Sequence, residues 1–261
     1  DHPNIHLHHV RAFKLNAFIR TLSFAWFAAR AVGKESFDII QSHEKTWKQN
    51  VYRVGDGCHK EWLDQRKRFL PALKGFSLTC NPFHRLILKL EKSIFESGQC
   101  RKFIAISQMV KNDILKHYHC PQENISVVYN GVDLTRFHPD NKNIHRENIR
   151  KELGIPKSAV LILFVGSGFE RKGLKSLLQA TQHFKSKDWR MLIMGKGKWN
   201  KYLHFAPENL RGQIIYKEPV PDIEKYYSAA DIFALPSIYE PFGNANLEAL
   251  ASGLPVITTR H

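Results

Sequence analysis

The sequence predicts an α/β protein built on parallel sheets, and three observations carry that prediction. Short apolar runs alternate with helical stretches along the chain, the pattern of right-handed βαβ crossovers. The run AVLILFVGS (159–167) has no polar face, as a strand covered on both sides requires. Several runs end in glycine-containing loops at their carboxyl ends, where ligands of such sheets bind.

In the first half, IHLHHV (5–10) reads as a strand and NAFIRTLSFAWFAARAV (16–32) as a largely buried helix. FDIIQSH (37–43), VYRVGD (51–56) and CRKFIAIS (100–107) are β-rich, and Ser107 suits the cap of a helix over 108–118. NPFHRLILKLEKSIFESG (81–98) is a punctuated amphipathic helix, with Asn81 at the cap, Pro82 in the first turn and Gly98 as the stop. NISVVYNGVD (124–133) is a last strand ending in an Asn-Gly turn. TRFHPDNKNIHREN (135–148) is polar and aperiodic, so it reads as a linker and sets domains at 1–138 and 139–261.

The second half continues from 159–167 through a helix to Phe184, then strands at 190–195 and 213–219. A helix at 221–230, a strand at 231–237, a loop and helix beginning YEPFGNAN, and a strand at 255–259 complete it. The loops after Val165, Met194 and Pro236 should therefore converge on one crevice.

Composition narrows the partners. The net charge is +15, with 21 Lys/Arg against 13 Asp/Glu in residues 1–140 and 18 against 11 in the remainder. An excess spread in this way favours an anionic partner: nucleic acid, acidic lipid or a phosphate-bearing substrate. The four cysteines are 20 to 22 residues apart with no Cys-x-x-Cys pair, which gives no zinc or disulfide framework and suits a reducing compartment. Stretch 16–32 is interrupted by Arg20 and Arg30 and is too short to span a bilayer. The chain starts without Met and stops just after a strand, so it reads as the middle of a longer protein.

Two loops carry the chemistry. In FVGSGFERKGL, Gly166, Ser167 and Gly168 allow close backbone approach, and Arg171 and Lys172 add fixed positive charge, which together suit a diphosphate. A solvated turn with two exposed cations is the plainer reading, and a Walker A loop is absent. In YEPFGNANLEALASG, Asn244 or Asn246 can cap a helix whose amide donors favour a phosphate. Glu248 falls one turn inside, suited to paired ribose hydroxyls, and Glu240 lies where a hexose on that phosphate would sit.

At Glu240 through Val256 the sequence resembles the retaining glycosyltransferases of family 4, whose hallmark is E-P-F-G-x3-L-E-A-x-A-x-G-x-P-V. ISVVYNGVDLTRFHP, FVGSGFERKGLKSLLQA and AADIFALPS extend the likeness over about residues 100–261, more loosely over 1–99. The resemblance implies the GT-B fold, two Rossmann-like domains facing across a cleft, here incomplete at both ends. The first would be the acceptor-side domain and the second would bind the nucleotide-sugar.

It further implies a nucleotide-diphosphate sugar donor, which is a substrate, with no cofactor and no metal. Arg171 and Lys172 would contact the diphosphate, Glu248 the ribose, and Glu240 with the backbone of Phe242, Gly243 and Asn244 the sugar. Ser167 stands where many members have Arg, which would shift more of the phosphate charge onto Arg171 and Lys172, with Lys198 or Lys201 after the next strand as further candidates. The Ser form and VYRVGDGCHKEWL are similar to lipopolysaccharide-core glucosyltransferases, which would place Asp56 near the reaction centre. The acceptor would be a glycan or glycolipid, and the protein cytoplasmic and peripheral on the inner membrane.

That membrane reading draws on the resemblance and on the segment from Arg66 to Lys102, with nine basic residues against two acidic. Packing of helix 81–98 on its own domain is the alternative. His2, His6, His8 and His9 lack a carboxylate or cysteine to complete a metal set, and His43 and Glu44 are candidates for the acceptor side. A basic nucleic-acid-binding protein has the charge alone in its favour, without a recognition module. A non-catalytic fragment of a GT-B protein is a third reading.

Overall fold

The computed structural model describes residues 4–260 and divides into two compact units, Asp1–Tyr129 and Asn130–His261. The first unit opens with α1 (Ala17–Val32), started by Asn16, whose side chain accepts from the Ile19 amide. Then follow β1 (Gln41–Ser42), β2 (Val51–Val54), α2 (His59–Lys67), α3 (Ala72–Cys80), α4 (Pro82–Glu96), β3 (Lys102–Ala105), α5 (Gln108–His117) and β4 (Ile125–Val127). The four strands form one parallel sheet in the order β1-β2-β3-β4. Its buried face is set by alternation: Tyr52 and Val54 on β2, Phe103 and Ala105 on β3. Phe95 of α4 lies against Tyr52, Phe103 and Tyr118 and fixes that helix on the sheet.

The predicted caps of α4 and α5 form: Asn81 accepts from the Phe83 amide and Ser107 from the Val110 amide. The apolar face of α4 packs inward, with Leu86 and Leu90 against Ala25 of α1. Segment 5–10 is not a strand; Ile5, Leu7, His6, His8 and His9 are exposed and the segment pairs with no strand. Alternation alone does not hold a strand without a neighbouring ladder. His2 lies outside the described residues. The 37–43 strand shortens to β1, and α2 and α3 arise where no helix was expected.

A buried carboxylate ties the unit together. Glu91 of α4 is fully buried and accepts from the amides of His59 and Lys60 at 2.7 and 3.3 Å. It thereby supplies oxygen acceptors to the first amides of α2, whose cap position is held by Cys58. The same carboxylate accepts from Tyr118 Oη at 2.7 Å and pairs with Lys45 Nζ at 3.6 Å. Burial and this carboxylate push the Tyr118 hydroxyl well above its ordinary pKa.

The second unit contains α6 (Asn141–Glu152), β5 (Val160–Val165), α7 (Leu174–Ala180), β6 (Trp189–Met194), β7 (Ile214–Lys217), α8 (Glu224–Ala229), β8 (Ile232–Leu235), α9 (Asn244–Ala251) and β9 (Val256–Thr258). Its five strands are parallel in the order β7-β6-β5-β8-β9. Leu161, Leu163, Phe164, Met191, Leu192, Ile193 and Phe233 are sealed in its core. No helix among the described residues is long and apolar enough to cross a membrane.

The division between units falls nine residues before the boundary read from sequence. Phe137 belongs to the core of the second unit, edge-on to Tyr227 at 5.6 Å, and Arg136 pairs with Glu224 at 2.7 Å. The expected linker is mostly α6. Its buried face carries Arg150, paired to Asp231 at 3.2 Å, so the helix shows little apolar period.

Removing the Glu91 carboxylate would strand Lys45 and uncap α2 together. Glu91→Ala should destabilise the first unit by about 3–5 kcal/mol, the range for breaking a buried pair. Urea unfolding followed by Trp62 fluorescence in a protein otherwise stripped of Trp checks this. A midpoint equal to the parent's would refute it.

Candidate functional site

In the second sheet β5 has β6 and β7 on one side and β8 and β9 on the other, so the strand order reverses between β5 and β8. Loops leaving the carboxyl ends at such a reversal diverge and open a crevice. Here they are also fastened to each other. Gly173 has φ +71°, and a Cβ there would lie 1.8 Å from the Pro236 carbonyl oxygen. The Ile238 amide donates to the Arg171 carbonyl at 2.8 Å. The loop after β6 joins them, because a Cβ on Gly195 would meet Gly166 O at 2.2 Å. The three loops thus come together as the sequence predicts.

Gly166 and Ser167 lie at this junction. The Ser167 hydroxyl accepts from the Lys196 amide at 3.0 Å and pins the loop after β6 to the loop after β5. Serine at this position has a structural use that a longer side chain would not fill. Lys198 and Lys201 lie farther along the same loop and are exposed. Lys196, not singled out from sequence, is held at the junction by its backbone amide, and the Lys172 side chain packs beside Gly166.

Arg171 and Lys172 both turn to Glu240. Lys172 Nζ donates to Glu240 Oε2, and Arg171 Nη1 stands 3.6 Å from Oε1 while donating to the Tyr239 carbonyl at 3.1 Å. Ser237 Oγ donates to the same Glu240 Oε2 at 2.9 Å. Lys172 is buried; burial pulls its ammonium below the ordinary pKa, and the Glu240 charge opposes that fall. Ser237 is not among the residues singled out from sequence.

Gly243, at φ +83°, caps α9 with no side-chain hydrogen bond, so neither Asn244 nor Asn246 is the cap. The amides of Asn246 and Leu247 donate to the Gly243 carbonyl at 2.9 and 3.1 Å, and no side chain caps the start of the helix. Asn244 Oδ1 instead accepts from Asn130 Nδ2 at 2.8 Å, and Phe242 is half-buried beside Glu240 in the loop. Glu248, one turn into α9, accepts from the fully buried Tyr227 Oη at 2.8 Å. Burial holds the Glu248 carboxyl above its usual range, against the pull of Tyr227, Arg136 and Lys172.

Asp56 lies in the first unit, exposed on the turn after β2, and His43 and Glu44 follow β1. Among the described residues no three His, Cys, Asp or Glu side chains gather as a metal set would. Two cations, an uncapped helix start and two carboxylates on one loop system suit a phosphate flanked by hydroxyl-rich groups.

Comparison with known proteins gives the same direction. Residues 2–136 match the model described as Glycosyltransferase Family 4, and residues 145–261 that described as Glycosyl transferases group 1. The lipopolysaccharide glucosyltransferase WaaG of Escherichia coli (strain K12) is 29% identical over 218 residues, 80% of this chain and 55% of that protein. A D-inositol 3-phosphate glycosyltransferase of Corynebacterium urealyticum is 35% identical over 242 residues, 86% of this chain and 56% of that protein. The chain spans about half the length of these curated relatives.

Among solved structures, that of WaaG, a glycosyltransferase involved in lipopolysaccharide biosynthesis, superposes with a TM-score of 0.77 at 25% identity, covering 96% of this chain and 67% of that one. A glycosyltransferase from Rickettsia africae ESF-5 shares the fold with a TM-score of 0.68 at 22% identity, over 97% of this chain and 65% of its own. Parallel sheets, the reversal at β5 and β8 and the family match over the first unit lead to one conclusion: this chain has the α/β GT-B fold and belongs to glycosyltransferase family 4, related to the lipopolysaccharide-core glucosyltransferases.

Proposed function

We propose that the protein is a retaining hexosyltransferase, moving a sugar from a nucleotide-diphosphate sugar, UDP-hexose foremost, to a glycan or glycolipid acceptor of the lipopolysaccharide-core kind. One observation carries this reading: Arg171 and Lys172 converge on Glu240 beside an uncapped helix that presents Glu248 one turn later. The diphosphate takes the two cations and the amides near Gly166 and α9, with Lys198 and Lys201 at its margin. Glu248 takes the ribose hydroxyls. Glu240, released from its cations, takes hydroxyls of the sugar with the Phe242–Asn244 backbone.

Retention then proceeds by same-face attack through an oxocarbenium-like state, the departing diphosphate helping to accept the acceptor proton. Charge grows on that leaving group, so Arg171 and Lys172 stabilise the transition state more than the ground state. The two side chains do the work a metal would do, and the reading is metal-independent. Asp56 belongs to the acceptor side in this scheme. Nucleic acid has no place in it.

Changing Arg171 and Lys172 together to Ala should lower turnover by orders of magnitude, roughly 2–4 kcal/mol for each charged contact to the leaving group. It should also lower the melting temperature, since Glu240 is left nearly buried without its lysine. Arg171→Ala alone, at a one-third exposed side chain, separates the kinetic loss from the folding loss. Near-normal turnover in the double variant rules the assignment out.

The glutamates should divide in calorimetry with UDP. Glu248→Gln weakens UDP binding, because the ribose lies there. Glu240→Gln leaves UDP affinity undiminished and cuts sugar transfer. Equal losses in both would show the carboxylates to be wrongly assigned.

We also infer a peripheral, cytoplasmic-face attachment to anionic membrane. In support, α3 buries none of its residues, and Phe69, Leu73 and Phe76 are exposed beside Lys67, Arg68 and Lys74. Arg85, Lys89 and Lys92 are exposed on α4, whose apolar face is used by the core. Each engaged cation adds about 1 kcal/mol near such a surface. The protein should sediment with vesicles holding acidic phospholipid, less at high salt and hardly at all with neutral vesicles. Reversing Arg85, Lys89 and Lys92 to Glu should release it; unchanged binding would leave this segment as ordinary surface.

A further inference from the structure

We propose that Tyr227 is a positioning residue of the nucleotide site: its hydroxyl holds Glu248 in the rotamer that accepts the ribose. The proposal rests on the reading of Glu248 as the ribose carboxylate. Tyr227 lies on α8, before β8, outside every loop so far assigned to the donor. It has no exposed surface, and its ring is packed against Phe137 and Phe233 at 5.6 and 5.7 Å. Its rotamer is therefore set by the core of the second unit, which is fixed before any ligand arrives.

From that position Oη donates to Glu248 Oε2 at 2.8 Å, with the Ala245 carbonyl a longer 3.3 Å away on the same helix. A carboxylate has two acceptor oxygens, and the tyrosine occupies one of them. Oε1 is left to take a ribose hydroxyl, and the remaining acceptor capacity of Oε2 can take its neighbour. A phenolic donor suits this task because it stays protonated: burial, with the Glu248 charge beside it, pushes the Tyr227 hydroxyl well above its ordinary pKa. A serine or water donor would hold the carboxylate less rigidly.

The pair also sets a protonation balance. Burial favours the neutral acid at Glu248, while Tyr227 from α8, Arg136 from the segment before α6 and Lys172 from the loop after β5 favour the carboxylate. Removing the phenol withdraws the one direct hydrogen bond among these. The neutral acid then persists to higher pH, and a neutral acid donates to one hydroxyl where the anion accepts from two.

The test is calorimetry of the protein with UDP as the probe across pH, for the parent, Tyr227→Phe, Glu248→Gln and the double variant. Tyr227→Phe keeps the ring and its packing. It should bind UDP roughly tenfold more weakly at neutral pH, the scale of one hydrogen bond to a charged group. Its affinity should fall away at higher pH than the parent's as the solution is acidified. The double variant should bind no worse than Glu248→Gln, because Tyr227 acts through that carboxylate. Losses that add, or an acid limb unmoved in Tyr227→Phe, would show a merely structural tyrosine and overturn the role. Unchanged UDP binding in Glu248→Gln would overturn the ribose assignment beneath it, and the role with it.

Discussion

The Lys172–Glu240 ion pair is the interaction on which the donor side depends. It joins the loop after β5 to the loop after β8, with both side chains nearly buried. Such a pair is poor evidence for stability, because desolvating two charges costs about as much as their attraction returns. Its value is positional. Around it the backbone is already locked by Gly173 against Pro236 and by the Ile238 amide on Arg171. The ions cannot separate without a replacement partner for each, which in the proposed reading a diphosphate with a polyol would supply. Under the proposed reading the site is charged before the ligand arrives and would exchange partners on binding, which would leave little solvent reorganisation for the chemical step.

The two units use buried charge in different ways. In the first, Glu91 accepts from two helix amides and Tyr118 and pairs with Lys45, so its acceptor capacity is consumed by the fold. In the second, Glu240 and Glu248 each accept at Oε2 from a scaffold hydroxyl, Ser237 and Tyr227, and Glu240 also pairs with Lys172 and Arg171. The same residue type thus becomes a structural cap in one place and a presented acceptor in another. The difference lies in the kind of donor: backbone amides of a helix start hold Glu91, whereas side chains hold Glu240 and Glu248.

Much of this could be read from sequence, for definite reasons. The Glu240–Glu248 spacing and the glycines at 166, 168, 173 and 243 are local, and local geometry is what sequence encodes most directly. The strands of the second unit were legible because Leu161 through Phe164 are covered on both faces. What escaped depends on long-range partners. Segment 5–10 alternates like a strand but has no neighbour to pair with, whereas α6 hides its period behind a buried Arg150 satisfied by Asp231 and by the carbonyls of Pro156, Ala159 and Ala229. Asn246 looked like a cap, and Gly243 took the role through its left-handed backbone, a choice that side-chain preference does not disclose.

Ser237 and Tyr227 were invisible for a related reason. Each looks like an ordinary element of a strand end or a buried helix, and nothing in its immediate neighbours marks it as a hydrogen-bond donor to a carboxylate. Ser237 is three residues from Glu240 and Tyr227 is 21 from Glu248, yet both reach Oε2 at similar distances, 2.9 and 2.8 Å. Both flank β8, one before it and one after. A single central strand therefore sets the orientation of both carboxylates from its two ends. A shift of β8 against β5 would move both carboxylates together, so the pairing of Ile162 with Ile232 and Leu163 with Phe233 is part of the site's geometry as well as its core. This is the physical sense in which the crevice at a strand-order reversal is a rigid place to build a ligand site.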